Sequence, residues 1–221
     1  MRTNFNKLIA FMLLFTVVAC GLGNDPDNSL PPMTDPDDVC SAMDDLKFME
    51  YCYKNFDINK DGKVSPSEAN AVLYIGYVLG TASQSLSGVH SLKGIEYFPN
   101  LKQLSFSGNV SSLNLSRNTK LEVLWCFNNE LTSLDISNNT ALACVQCQNN
   151  KLSANELNNI LKSLHSNAVS KKHIHIGGNP GTRDCDLNFA AHKGWHADMS
   201  ATVYFSFIDG NSHPGMMIRP L

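Results

Sequence analysis

Leu121-Glu122-Val123-Leu124-Trp125-Cys126-Phe127-Asn128-Asn129-Glu130-Leu131 returns as Leu142-Ala143-Cys144-Val145-Gln146-Cys147-Gln148-Asn149-Asn150-Lys151-Leu152. An offset of 21 residues superimposes the outer leucines, the cysteine and the paired asparagines. The unit before carries Leu101, Leu104, Phe106 and Asn109 at an offset of 20, so one residue has dropped out after Asn109. The limbs between the units match as well, Leu113-Asn114-Leu115-Ser116-Arg117-Asn118-Thr119 against Leu134-Asp135-Ile136-Ser137-Asn138-Asn139-Thr140. A fixed short period of this kind predicts stacked coils, because no single unit can bury its apolar side alone.

The spacing L-x-x-L-x-(L/C)-x-x-N-x-L resembles leucine-rich repeats. On that reading the leucines of successive coils form one continuous core. Asn109, Asn129 and Asn150 are expected to bond the backbone of adjacent coils where the chain turns. Cys126 and Cys147 fall at an inward position and read as small core residues rather than reactive thiols. Cys144 and Cys147 fit C-x-x-C, but a three-residue offset in a strand sends their sulfurs to opposite faces, which argues against a redox pair. The next matching asparagine is Asn179, 29 residues after Asn150. The added length places Leu157, Ile160, Leu161 and Leu164 at helical spacing and predicts a helical return limb in that coil.

Side chains alternate across a strand, so the residues flanking the second core leucine of each unit should line the concave face. They form three columns: Gln103, Val123, Cys144 and His173; Ser105, Trp125, Gln146 and His175; Ser107, Phe127, Gln148 and Gly177. Trp125, Phe127, Gln146, Gln148, His173 and His175 are the candidate ligand-binding residues, with the two aromatics expected to face water. The competing reading is that a C-terminal segment such as 202–208, whose Thr202-Val203-Tyr204-Phe205-Ser206-Phe207 reads as a strand, covers them.

A second motif precedes the repeats. In Asp57-Ile58-Asn59-Lys60-Asp61-Gly62-Lys63-Val64-Ser65-Pro66-Ser67-Glu68, oxygen-bearing side chains stand at the first, third, fifth, ninth and twelfth positions and glycine at the sixth. That is the ligand spacing of an EF-hand loop for Ca2+, a hard cation that takes six to eight oxygens. Asp57, Asn59, Asp61, Ser65 and Glu68 would offer side chains, Lys63 its backbone carbonyl, and Gly62 the sharp turn. Ser65, Pro66 and Glu68 also mark a helix start. Before the loop, Val39, Met43, Leu46, Met49, Tyr53 and Phe56 predict one amphipathic helix entered at Asp35-Pro36-Asp37-Asp38. After it, Ala69, Val72 and Leu73 predict an exit helix reaching about Gly80. Asp184-Cys185-Asp186-Leu187-Asn188 is no second hand, since Phe189 replaces the glycine and Trp195 the closing carboxylate.

Met1–Ala19 reads as an export signal, with Arg2 and Lys7 ahead of an uncharged run too short to span a bilayer. Val17-Val18-Ala19-Cys20 resembles a lipobox, which would make Cys20 a lipidation site. Residues 20–36 form an acidic, proline-rich tether able to reach about 50 Å. Cleavage after Ala19 removes Arg2 and Lys7 and no acid, moving the formal charge from −3 to −5. Mild acidity without a basic cluster argues against nucleic acid, and leaves membrane contact to the lipid alone. On the single-helix reading, Cys40 and Cys52 lie about 18 Å apart, beyond disulfide reach.

Lipobox, tether, hand, then Ser91-Leu92-Lys93-Gly94-Ile95-Glu96-Tyr97-Phe98, the repeats, Gly178-Asn179-Pro180-Gly181 and Lys193-Gly194-Trp195 together resemble the internalin-like leucine-rich-repeat lipoproteins of Bacteroides-type bacteria. The resemblance implies a monomeric, lipid-anchored outer-membrane or cell-surface protein that binds a host or matrix protein or a polysaccharide. The expected fold is α/β, a short leucine-rich-repeat solenoid preceded by an EF-hand helix-loop-helix. Its expected divisions are 1–19, 20–36, 37–80, 86–197 and a C-terminal strand and tail, 198–221. A purely structural surface protein is the alternative, and a hydrolase a lesser one. His173 with His175, and His192 with His196 at helical spacing, lack a third zinc ligand and read as solvated histidines. His196, Asp198 and Ser200 name a hydrolase triad but lack a nucleophile turn, so no catalytic residue is expected.

Overall fold

The computed structural model describes residues 30–77, 86–169 and 171–202. The export signal, Cys20, most of the tether, Gly80 and the stretch 203–208 lie outside the described residues. Four helices are described, α1 (Leu46–Phe56), α2 (Pro66–Ala71), α3 (Ala154–Ser163) and α4 (Asn188–Ala191), with 3-10 turns at Val39–Ala42 and Ile95–Tyr97. The strands are β1 (Tyr74–Ile75), β2 (Leu86–Val89), β3 (Gln103–Gly108), β4 (Val123–Trp125), β5 (Cys144–Gln146), β6 (His173–His175) and β7 (His196–Asp198). All pair in parallel in the order β1-β3-β4-β5-β6-β7, with β2 beside the C-terminal half of β3. Among the described residues no helix is long and apolar enough to cross a membrane.

The repeat unit folds as its spacing demands. Leu104, Leu124, Val145 and Ile174 stand in register across β3 to β6 and are fully buried. Leu101, Leu121, Leu142, Leu131 and Leu152 fill the same core, as do Cys126 and Cys147. Where each coil turns, a buried asparagine serves two coils at once. Asn150 donates Nδ2 to the carbonyls of Cys126 (2.9 Å) and Cys147 (3.1 Å), while its Oδ1 accepts the Leu131 amide at 3.0 Å. Asn129 and Asn179 repeat the arrangement on either side. Asn109 does not join this ladder. It is exposed, and its side-chain amide reaches Glu130 at 3.5 Å, because the missing residue after it shortens that turn. A second ladder runs along the return limbs: Asn118 Nδ2 bonds the carbonyls of Ile95 and Phe98, and Asn139 Nδ2 those of Leu115 and Asn118.

The first half departs from the single helix that the apolar stripe predicts. The chain makes the 3-10 turn Val39–Ala42, becomes extended at Met43, and starts α1 afresh at Asp45. Asp45 is the reason. Its Oδ1 caps the amides of Lys47 and Phe48, both at 2.9 Å, and its Oδ2 accepts His90 and Ser91 from the far side of β2. Leu46, counted in the apolar stripe, is consequently 66% exposed.

The exit helix is also shorter than expected. Ser65 and Glu68 form the anticipated capping box with Pro66 in the first turn, but α2 ends at Ala71. Val72 is extended, and Tyr74–Ile75 join the sheet as β1 against Gln103–Leu104. A run of β-branched and aromatic residues facing the open edge of β3 gains more from ladder bonds than from continuing a helix. Gly76 fits there only because it lacks a Cβ, which would lie 1.7 Å from the Ser105 carbonyl oxygen.

In the C-terminal cap, Ser153 caps α3, which buries Leu157, Ile160 and Leu161 as its spacing predicts. α4 stops at Ala191, and His196 opens β7. His192 and His196 therefore do not share a helix, contrary to their helical spacing. Trp195 closes the core end, its Nε1 donating to the His165 carbonyl at 2.9 Å.

Candidate functional site

Strand register reproduces two of the three columns expected on the concave face. Gln103, Val123, Cys144, His173 and His196 form one row, and Ser105, Trp125, Gln146, His175 and Asp198 the next. Cys144 packs with Val123 and Trp125 in a small apolar cluster separate from the main core that holds Cys147, so the two sulfurs do part to opposite faces.

Water access is where expectation fails. Trp125 is only 3% exposed, and Gln146, Gln148 and His175 are buried as well. Phe127 and His173 are half-buried. Tyr77 stacks on Trp125 with ring centroids 6.3 Å apart, and the Tyr77 carbonyl accepts Gln103 Nε2 at 2.7 Å. At the other end the chain doubles back after β7. Ser200 backbone lies against Gly177, the Ala201 carbonyl accepts Asn149 Nδ2 at 3.2 Å, and the Thr202 carbonyl accepts Gln148 Nε2 at 3.5 Å. Alternation identifies which side chains leave the core; it carries no information about which distant segments cover them.

The face stays polar and open at its C-terminal end. His173 and His196 meet edge to face at 5.6 Å, and His175 Nδ1 lies 3.5 Å from Asp198 Oδ2. Burial lowers the His173 pKa, helped by His196 and Lys171. Burial also lowers that of His175, against the pull of the Asp198 carboxylate. Sequence spacing linked His196 to His192, and only the strand that begins at His196 brings it beside His173.

The loop 57–68 closes on its own backbone. Asp57 Oδ2 accepts the Gly62 amide at 3.0 Å and Asp57 Oδ1 the Asp61 amide at 3.2 Å. Asn59 Oδ1 accepts the Asp61 amide, and Asp61 Oδ1 the Lys63 amide. Gly62 takes φ +87°, the left-handed conformation that the turn requires. Glu68 Oε2 accepts the Ser65 amide and hydroxyl, both at 2.8 Å, and Oε1 accepts the amides of Ile58 and Asn59. These bonds, the Ser65 amide foremost, hold the Glu68 carboxyl down at about 2. Lys63 pairs with Asp35 at 2.9 Å, and at the loop's end the Val64 amide donates to Asp38 Oδ1 at 3.1 Å. Among the described residues no three His, Cys, Asp or Glu side chains are gathered closely enough to hold a metal ion.

No protein-family model matches the chain, and no curated protein matches it in sequence. Among solved structures, an internalin, InlF, from Listeria monocytogenes str. 4b F2365 aligns over 72% of this chain and 50% of its own, at TM-score 0.50 and 19% identity. The functional domain of InlJ from Listeria monocytogenes, described as including a cysteine ladder, aligns over 66% of this chain and 38% of its own, at TM-score 0.44 and 19% identity. The chain thus spans half or less of the length of these neighbours. Together with the parallel sheet and its asparagine ladder, the InlF likeness makes the fold a leucine-rich-repeat solenoid of the kind found in internalins.

Proposed function

We propose that the chain is a lipid-anchored, calcium-binding surface protein whose solenoid captures a protein or polysaccharide partner. The observation that carries the capture reading is the C-terminal edge of the sheet, where exposed His196 meets half-buried His173 and Asp198 stands two residues further along the same strand. Imidazoles and a carboxylate on one open edge suit hydrogen-bonded recognition of a peptide or sugar. The calcium reading draws on an all-oxygen donor set at the right spacing and a left-handed Gly62. In that loop Asp57, Asn59, Asp61 and Ser65, the Lys63 carbonyl and Glu68 would hold the ion. Bound calcium would supply a fixed positive centre that ties the entry of α2 to the end of α1. For Glu68 to contribute, it must give up its bonds to Ile58 and Asn59. The anchor at Cys20 and the surface location rest on the lipobox and export signal.

The burial of Trp125, Gln146 and Gln148 favours one second reading, a structural surface protein whose concave face is packing rather than a binding site. Arrays of glycans and peptides probed with wild type and with His173→Ala/His196→Ala, each with calcium and with chelator, separate the two. Binding that the double substitution abolishes supports capture, and the absence of any bound probe leaves the structural reading. Calorimetric titration with CaCl2 tests the loop independently.

A further inference from the structure

We propose that Cys40 and Cys52 close a disulfide when the chain folds under oxidising conditions. The break in the helix at Met43 makes this feasible, because it folds the 3-10 turn Val39–Ala42 back against α1 instead of extending it away. Asp38 fixes the juxtaposition. Its Oδ2 accepts the Tyr53 hydroxyl at 2.5 Å, and its Oδ1 accepts the amides of Cys40 at 3.0 Å and Val64 at 3.1 Å. One carboxylate, two residues before Cys40, thus grips the residue that follows Cys52. Both cysteines are completely buried in the same core as free thiols, and the Cys52 thiol lies within hydrogen-bond reach of Cys40. Two sulfurs already facing each other across a short chain segment need little backbone movement to reach bonding distance.

The remaining described cysteines are worse placed. Cys126 and Cys147 occupy equivalent places in successive parallel coils, where the roughly 4.8 Å between strands exceeds the usual Cβ separation of a disulfide. The Cys147 thiol is also engaged with the His175 carbonyl at 3.4 Å. Cys144 is turned to the concave cluster, and Cys185 sits alone near the surface by Thr182.

Closing the bridge removes one proton and one electron from each thiol. They pass to the disulfide of an oxidant, either a thiol oxidase of an exporting cell or glutathione disulfide in vitro, which is reduced to two thiols. Burial raises the Cys52 thiol pKa well above normal, so in the folded chain Cys52 holds almost no thiolate. The bond should therefore form during folding and resist formation afterwards.

The test is to refold the full chain from denaturant in a glutathione redox buffer and, separately, in reductant, then alkylate the free thiols. Cleavage by trypsin with an Asp-directed protease separates Cys20, Cys40 and Cys52 for mass spectrometry. The expected result is one cross-linked peptide pair joining Cys40 to Cys52, with Cys126, Cys144 and Cys147 alkylated. The oxidised chain should melt several degrees higher than the reduced one, a difference that Cys40→Ala/Cys52→Ala abolishes. Recovery of both cysteines as alkylated thiols from the oxidising buffer overturns the proposal, as does Cys52 joined to any other cysteine. Because refolding in a tube requires no export, this result is independent of the surface reading.

Discussion

Tyr77 lies on Trp125, ring centroids 6.3 Å apart and planes 29° from parallel, with the indole almost wholly out of water. A tryptophan that pointed into solvent from a binding face could be cut to alanine at little cost to stability. Buried against Tyr77, Val123 and Cys144, it should instead cost about 3–5 kcal/mol, the range for truncating a packed aromatic. Urea unfolding of Trp125→Ala measures this. Tyr77→Ala should redden the tryptophan emission by admitting water to the indole. A loss under about 0.5 kcal/mol for Trp125→Ala would mean the face is open in solution.

Asp45 ties two segments that the sequence leaves unconnected. Its carboxylate caps α1 and holds the amides of His90 at 2.7 Å and Ser91 at 3.3 Å. Burial works against its ionised form, yet the four amides together keep its pKa below normal. Asp45→Ala removes the cap and strands the His90 and Ser91 amides, for an expected loss of about 2–4 kcal/mol. Asp45→Ser, which retains the cap but cannot span to β2, should recover only part of it. Equal stability of the two variants in urea would show that the long-range bonds contribute nothing.

What the sequence revealed and what it hid divide along contact range. The 21-residue offset reports the same local environment twice, so the registers of Leu124 with Val145 and of Trp125 with Gln146 could be read from it. The helical return limb after Asn150 followed from the spacing of Leu157, Ile160 and Leu161. The break before Asp45, the conversion of Tyr74–Ile75 to a strand and the cover over Trp125 each depend on a partner elsewhere in the chain: His90, Gln103 and Tyr77 respectively. Periodicity is blind to such partners. The pairing of His173 with His196 was hidden for the same reason, since the helical spacing to His192 offered a false local neighbour.

The asparagine ladder predicts a sharp contrast between aligned positions. Asn150→Ala leaves the Leu131 amide without its partner in the interior and takes one of two asparagine donors from each of the Cys126 and Cys147 carbonyls, at about 1–3 kcal/mol. Asn109→Ala, at the equivalent place one shortened coil earlier, should change stability by less than about 0.5 kcal/mol. Thermal or urea melts of the two variants side by side check the pair. Comparable losses would place Asn109 in the ladder after all.

Two pH windows follow from groups shifted in the same direction for different reasons. His173 and His175 have pKa values lowered by burial, so below their ordinary value of 6.5 the unfolded chain takes up protons that the folded chain refuses. Stability should therefore fall as pH drops below about 6.5, and His175→Gln should flatten that slope. Glu68 acts lower. Its ordinary value is 4.5 and its folded value about 2, so its contribution is complete above 4.5 and disappears as pH falls towards 2. Other carboxylates lose stabilising contacts over the same range, Asp35 and Glu130 among them, so only the difference between wild type and Glu68→Gln isolates this one. In urea unfolding the two should be furthest apart near pH 6 and converge only towards pH 2. Added calcium should widen the gap at pH 6 and do so progressively less towards pH 2, because a protonated carboxyl no longer attracts the ion. A gap that is independent of pH would mean that the Ser65, Ile58 and Asn59 amides do not hold Glu68 in solution.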